Sequence, residues 1–144
     1  NDLDDSFTDI TYLTGTRVMD GWGVAFSDFD NDGDLDLLVC GPHVRLFRNE
    51  GGTNNSWLKF KLEGTKSNRA AIGARVTLRY GNGKTQIREV EGGKGTGTQN
   101  SLVLHFGLGN YNGPVEAVVR WAPGQEQIVK IDKLNQLVKI TETK

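Results

Sequence analysis

Cysteine is almost missing from this 144-residue chain: Cys40 stands alone, so no internal disulfide can staple the fold, and cysteine usage leaves the compartment open. Proline occurs only 3 times against 19 glycines, and the short runs are rich in Val, Ile, Leu and Thr, a composition that favours an all-β protein. No stretch of about 18 consecutive apolar residues exists, so no transmembrane helix is expected. No signal peptide heads the sequence, and the chain is expected to be a piece of a longer protein. Histidine is limited to His43 and His105, neither set beside a nucleophile and a carboxylate in a recognisable arrangement, which argues against hydrolase-type nucleophilic catalysis. Gly83-Lys84-Thr85 ends like a phosphate-binding loop, but the earlier glycine that loop requires would fall at Leu78 and no helix follows. The length allows one domain or two small ones, with enough chain to bury a real core.

Positive charge is missing too, over one long stretch: no Lys or Arg lies between Arg17 and Arg45. Inside that gap sits Asp28-Phe29-Asp30-Asn31-Asp32-Gly33-Asp34-Leu35-Asp36, five carboxylates within nine residues. Carboxylates spaced two apart on one tight loop repel one another unless something positive sits among them. A hard divalent ion is the natural partner. Ca²⁺ accepts about six to eight oxygens in flexible geometry, whereas Mg²⁺ demands a tighter octahedron. The spacing suggests side-chain oxygens from Asp28, Asp30, Asp32 and Asp36, the backbone carbonyl of Asp34, and a sharp bend at Gly33. An EF-hand is excluded, because loop position twelve would be Val39 where a bidentate Glu is needed and the flanks read as strands.

Net charge is only −1, but residues 1–50 carry 11 acidic and 3 basic residues (−8) while residues 51–144 carry 7 and 14 (+7), so the second part is expected to attract the first or present a mildly basic face. Phe7 to Thr11 alternates as a short strand, Val24 and Phe26 alternate before the acidic loop, and Leu35 to Cys40 reads as a mostly buried strand after it. Val44 to Asn49 gives a further strand, so residues 7–49 form one blade-like antiparallel unit. One such sheet leaves an apolar face and open edges, and that face is expected to pack on the second part of the chain or on further blades of a parent protein.

Glu50 to Ser56 is a Gly/Asn-rich linker carrying the sequon Asn54-Asn55-Ser56, and it divides the chain into units at 1–50 and 57–144. Seven strands follow, at Trp57–Leu62, Ile72–Tyr80, Thr85–Glu91, Leu102–Phe106, Val115–Trp121, Glu126–Ile131 and Gln136–Thr141, with a hairpin turn at Gly81-Asn82-Gly83-Lys84; this argues for a β-sandwich. Trp22, Trp57 and Trp121 are read as core and interdomain anchors. The loop Gly92 to Asn100 offers Lys94, Gln99 and Asn100 as hydrogen-bonding groups, and Glu89 and Glu91 share a strand face as a solvated pair.

Two resemblances follow from these motifs. Asp-x-Asp-x-Asp-Gly-x-x-Asp between strands, preceded by Gly21-Trp22-Gly23-Val24-Ala25-Phe26, resembles the FG-GAP/VCBS repeat, the Ca²⁺-binding blade unit of integrin-type propellers. Asn68-Arg69, Ile72 to Val76, Arg88-Glu89-Val90, Gly92-Gly93, Gln99-Asn100-Ser101, His105 to Gly109 and Arg120-Trp121 with Pro123-Gly124 are similar to the ASPIC/UnbV domain, over about residues 57–142. These resemblances imply a propeller-blade-like sheet with a Ca²⁺ loop docked on a transthyretin-like β-sandwich. They also imply a non-enzymatic, extracellular, Ca²⁺-stabilised module for adhesion or recognition of a protein or glycan, with metal ligands among Asp28, Asp30, Asp32, Asp34 and Asp36. The alternatives are an accessory domain of a secreted enzyme acting on or binding carbohydrate and an adhesin domain with an isopeptide bond between Lys94 and Asn100 assisted by Glu89. Nucleic-acid binding and membrane insertion are not expected.

Overall fold

The computed structural model describes all residues except 1–5, 52–54, 96–97, 123 and 144, so the linker residue Asn54 of the sequon lies outside the described residues. The fold is all-β, with ten strands and no helix among the described residues, and hence no helix long and apolar enough to cross a membrane.

The sandwich holds the core. One sheet has β4 (Ser56–Glu63) at its centre, flanked by β7 (Leu104–Gly109) and β10 (Gln136–Thr141). The other runs β6 (Lys84–Glu89), β5 (Arg75–Tyr80), β8 (Val115–Arg120), β9 (Glu126–Ile131). Alternation along each strand sends one set of side chains inward. Leu58, Phe60, Val76, Leu78, Phe106, Val119 and Trp121 are all at most 1 % exposed. Phe60 and Phe106 meet edge to face with centroids 5.5 Å apart, the geometry that aromatic quadrupoles favour. All strand pairs are antiparallel except β4 with β10, which run parallel in the register Leu58↔Gln136 to Glu63↔Thr141.

Ile72, expected on the inward face of β5, is instead 41 % exposed, because the strand begins at Arg75. Ala71, in the turn closed by Ala71 N–H to Asn68 O (2.8 Å) and Ala74 N–H to Ala71 O (2.9 Å), fills the core in its place.

The remaining strands, β1 (Gly23–Ser27), β2 (Asp36–Cys40) and β3 (Arg45–Phe47), form a separate antiparallel sheet in chain order. Here the structure corrects three expectations. Phe7 to Thr11 is not a strand: Asp9 Oδ1 accepts the Thr11 N–H at 2.9 Å and Thr14 N–H closes a turn on Ile10 O at 3.0 Å, so side-chain and turn bonds replace a ladder. Residues Leu37 to Cys40 are half-buried, and Val24, Phe26 and Leu46 are 43–48 % exposed, because among the described residues no strand of another sheet packs on this one. Trp22 is 75 % exposed and its ring is not part of the core. The strands of this sheet do not pack on those of the sandwich; it meets the second part through the acidic loop between β1 and β2 and through a hydrogen bond from β1 to Asn100.

Candidate functional site

The acidic loop turns on two left-handed residues, Asn31 (φ 63°) and Gly33 (φ 103°). Asparagine tolerates that region and glycine enters it freely. Gly33 is also required by space, since a Cβ there would run into the indole of Trp57. The expected bend is where the spacing put it.

Side-chain hydrogen bonds then wind the loop. Asp28 Oδ2 accepts the Gly33 N–H at 3.0 Å, Asp32 Oδ1 accepts the Asp34 N–H at 2.9 Å, and Asp30 Oδ1 has the Asp32 N–H at 3.4 Å. Asp36, 1 % exposed, bridges two segments, with Oδ2 accepting from Phe29 N–H and Oδ1 from Asn49 N–H, both at 2.9 Å. Asp28, Asp30 and Asp36 are thereby drawn together, with one carboxylate oxygen of each within 4.8 Å of the others. Asp32 and Asp34 lie outside that trio; Asp32 is exposed and its carboxylate caps its own loop.

Two cations from elsewhere in the chain approach the trio. Lys59 on β4 is 5 % exposed and ion-pairs with Asp28 Oδ2, while its ammonium donates to Asn31 Oδ1 at 3.2 Å. Arg48 Nε lies 2.7 Å from Asp30 Oδ2, an ion pair whose direction falls short of a hydrogen bond. Asp28 Oδ1 and Asp30 Oδ2 are buried and without hydrogen-bond partners. Such oxygens cost free energy unless a cation or donor meets them. The donor set, oxygen only and carboxylate-rich, fits a hard divalent ion, with Asp28, Asp30 and Asp36 as the residues that would hold it.

Sequence reasoning missed Lys59. Its outward place in the alternation Trp57, Lys59, Lys61 was legible, but nothing local marks which outward lysine a distant loop will cover. Beside it, His105 Nε2 lies 2.7 Å from Gly33 O and its ring stacks near Trp57, with centroids 6.5 Å apart and planes 17° apart. The Lys59 ammonium sits 4.8 Å from the Trp57 ring centroid. Trp57, Lys59 and His105 thus form a platform on which the loop lands, and Asn100 Oδ1 accepts the Phe26 N–H at 3.1 Å beside it. Of the three tryptophans, Trp121 is core and Trp57 joins the two parts.

The groups of the isopeptide alternative are engaged apart from one another. Lys94 Nζ pairs with Glu91 at 3.1 Å, Asn100 serves Phe26, and Glu89 pairs with Arg75 at 2.9 Å. Glu91 therefore has a partner on its own loop and does not act with Glu89.

A second buried carboxylate escaped the sequence reading. Glu142, just beyond β10 and 3 % exposed, accepts through Oε2 from the N–H groups of Thr65, Lys66 and Ser67 (2.8–2.9 Å) and from the Ser67 hydroxyl (2.8 Å). Led by the Ser67 N–H and opposed by burial, these bonds pull its pKa down to about 2 from the ordinary 4.5. It clamps the turn after β4 to the end of β10.

The chain is 35 % identical over 94 residues to cartilage acidic protein 1 of Xenopus tropicalis and of Homo sapiens, covering 62 % of this chain and 14 % of each relative. It is 30 % identical over 127 residues to cartilage acidic protein 1 of Mus musculus, covering 83 % of this chain and 19 % of the relative. The chain therefore spans less than one fifth of the length of these relatives. The model for ASPIC and UnbV matches residues 64–144, the turn after β4 through to the end of β10 and beyond, and on that match the chain belongs to the ASPIC and UnbV family.

Proposed function

We propose that this chain is a non-enzymatic, Ca²⁺-stabilised module of an extracellular protein, serving adhesion or recognition, in which residues 7–49 are an FG-GAP/VCBS blade-like unit. The observation that carries the metal is the pair of buried oxygens without a hydrogen-bond partner, Asp28 Oδ1 and Asp30 Oδ2, the second met only by the Arg48 ion pair, beside Asp36. Asp28, Asp30 and Asp36 ligate through carboxylates; Asp32 and Asp34 contribute by shaping the loop or through water. The role of the ion is structural, because the loop also carries the ion pair and hydrogen bonds that join the small sheet to the sandwich. Relatives named for cartilage support the extracellular setting.

Thermal melting with excess Ca²⁺, with Mg²⁺ and with a chelator tests this. A ligand bound only by the folded state at a hundred times its Kd adds about 2.7 kcal/mol. For a chain of this size that is about 5–10 °C in Tm. Ca²⁺ is expected to give a rise of that order, Mg²⁺ a smaller one, and Asp30→Ala none. One observation favours a second reading: with Lys59 on Asp28 and Arg48 by Asp30, the chain carries its own counter-ions. An unchanged Tm across all three conditions would establish that reading and remove the metal.

A further inference from the structure

Across the outer face of the β10-β4-β7 sheet, beyond the platform that receives the acidic loop, lies an open groove of about 410 Å³, within the usual range of ligand-binding clefts (about 300–1,000 Å³). The parallel register sets Lys61 directly beside Lys139 on its floor. Arg69 stands at the rim, 89 % exposed in its side chain, and Leu102, Val103 and Ala70 supply aliphatic wall.

The like-charged pair works against the fold, since equal charges directly opposed on a sheet destabilise it. Lys59, two residues earlier on the same face, is neutralised by Asp28, yet neither Lys61 nor Lys139 has an acidic partner among the described residues. The one acid in the groove, Glu63, meets only Arg69, at 3.3 Å and largely in water, a pairing too solvated to cancel the field. The groove therefore keeps an uncompensated positive charge above an aliphatic surface.

We infer that this groove docks an acidic peptide segment of a partner protein, with carboxylates on Lys61, Lys139 and Arg69 and an aliphatic side chain between them against Leu102 and Val103. A sugar chain is disfavoured: the groove has no aromatic ring to stack on a pyranose and no Asn or Gln to read its hydroxyls. The inference rests on the recognition reading above and uses no residue of the acidic loop.

Fluorescence anisotropy with a labelled, end-capped octapeptide of alternating glutamate and leucine provides the test, run in low and in physiological salt. Binding is expected to weaken with salt and to fall about tenfold or more in Lys61→Ala/Lys139→Ala, both exposed positions where truncation spares the core. Lys133→Ala, outside the groove, is expected to stay within about twofold. No binding by the parent chain, equal binding by the double variant, or tighter binding of a sulfated hexasaccharide than of the peptide would each overturn the inference. Peptide affinity is expected to be equal in Ca²⁺ and in chelator, so failure of the groove and failure of the metal site show up in separate measurements.

Discussion

Single residues in this chain carry more than their local sequence announces. Glu142 is the clearest case, because its carboxylate meets three successive N–H groups in a concave turn, an anion-binding arrangement made of backbone alone. Its pKa is lowered on folding, so its contribution is full above the unfolded value near 4.5 and is lost as pH falls through about 2. Melts from pH 6 to pH 2 are expected to show the native chain more stable than Glu142→Gln at the upper end, with the two converging towards pH 2; parallel curves would deny the carboxylate its role. Nothing in Thr141-Glu142-Thr143 foretells this, since a carboxylate after a strand reads as solvated until the turn that covers it is known. Gly33 was legible, because a glycine amid alternating aspartates has few uses other than a bend. Its second reason, the indole of Trp57 lying where a Cβ would go, depends on a residue 24 positions away and was not.

Strands were legible to the degree that they are covered. In the sandwich, where all strands but the edge strand β6 bury at least one residue, alternation located all seven within a few residues, the shift at Ile72 coming from a turn that swaps Ala71 into the core. Phe60 at the centre of β4 tests how much of the fold that core holds: Phe60→Ala is expected to cost about 3–5 kcal/mol, read as a lowered urea midpoint with unchanged slope. In the small sheet the same reading placed β1, β2 and β3 but overstated their burial, because a pattern of apolar residues says which face seeks cover and not whether cover exists. The pairing of β4 with β10 was likewise hidden. Alternation is the same for parallel and antiparallel neighbours, so it identifies neither partner nor direction.

At the scale of the whole molecule, the uneven charge of the sequence finds its use at the contact between the parts. Asp28 comes from the acidic stretch and Lys59 from the basic one, and both side chains are nearly fully buried, at 2 % and 6 % exposure. Removing one partner strands the other as a buried charge, a loss of about 3–5 kcal/mol. Lys59→Met is therefore expected to lower stability by that order in chelator and by clearly less in saturating Ca²⁺, which supplies the missing positive charge; equal losses in both, measured by urea unfolding, would separate Lys59 from the metal. The sequence offered two uses for the opposed charges, attraction between the parts or a basic face, and marked no single lysine for either. The parallel pair has a consequence of another kind, in time. β4 is the first strand of its sheet and β10 the last, so β4, carrying Leu58 and Phe60, has a neighbour on only one side until residues 136–141 have been made. Contacts of such long sequence separation slow folding, and during translation that edge of β4 stays without its native neighbour for the roughly seventy residues that separate the two strands.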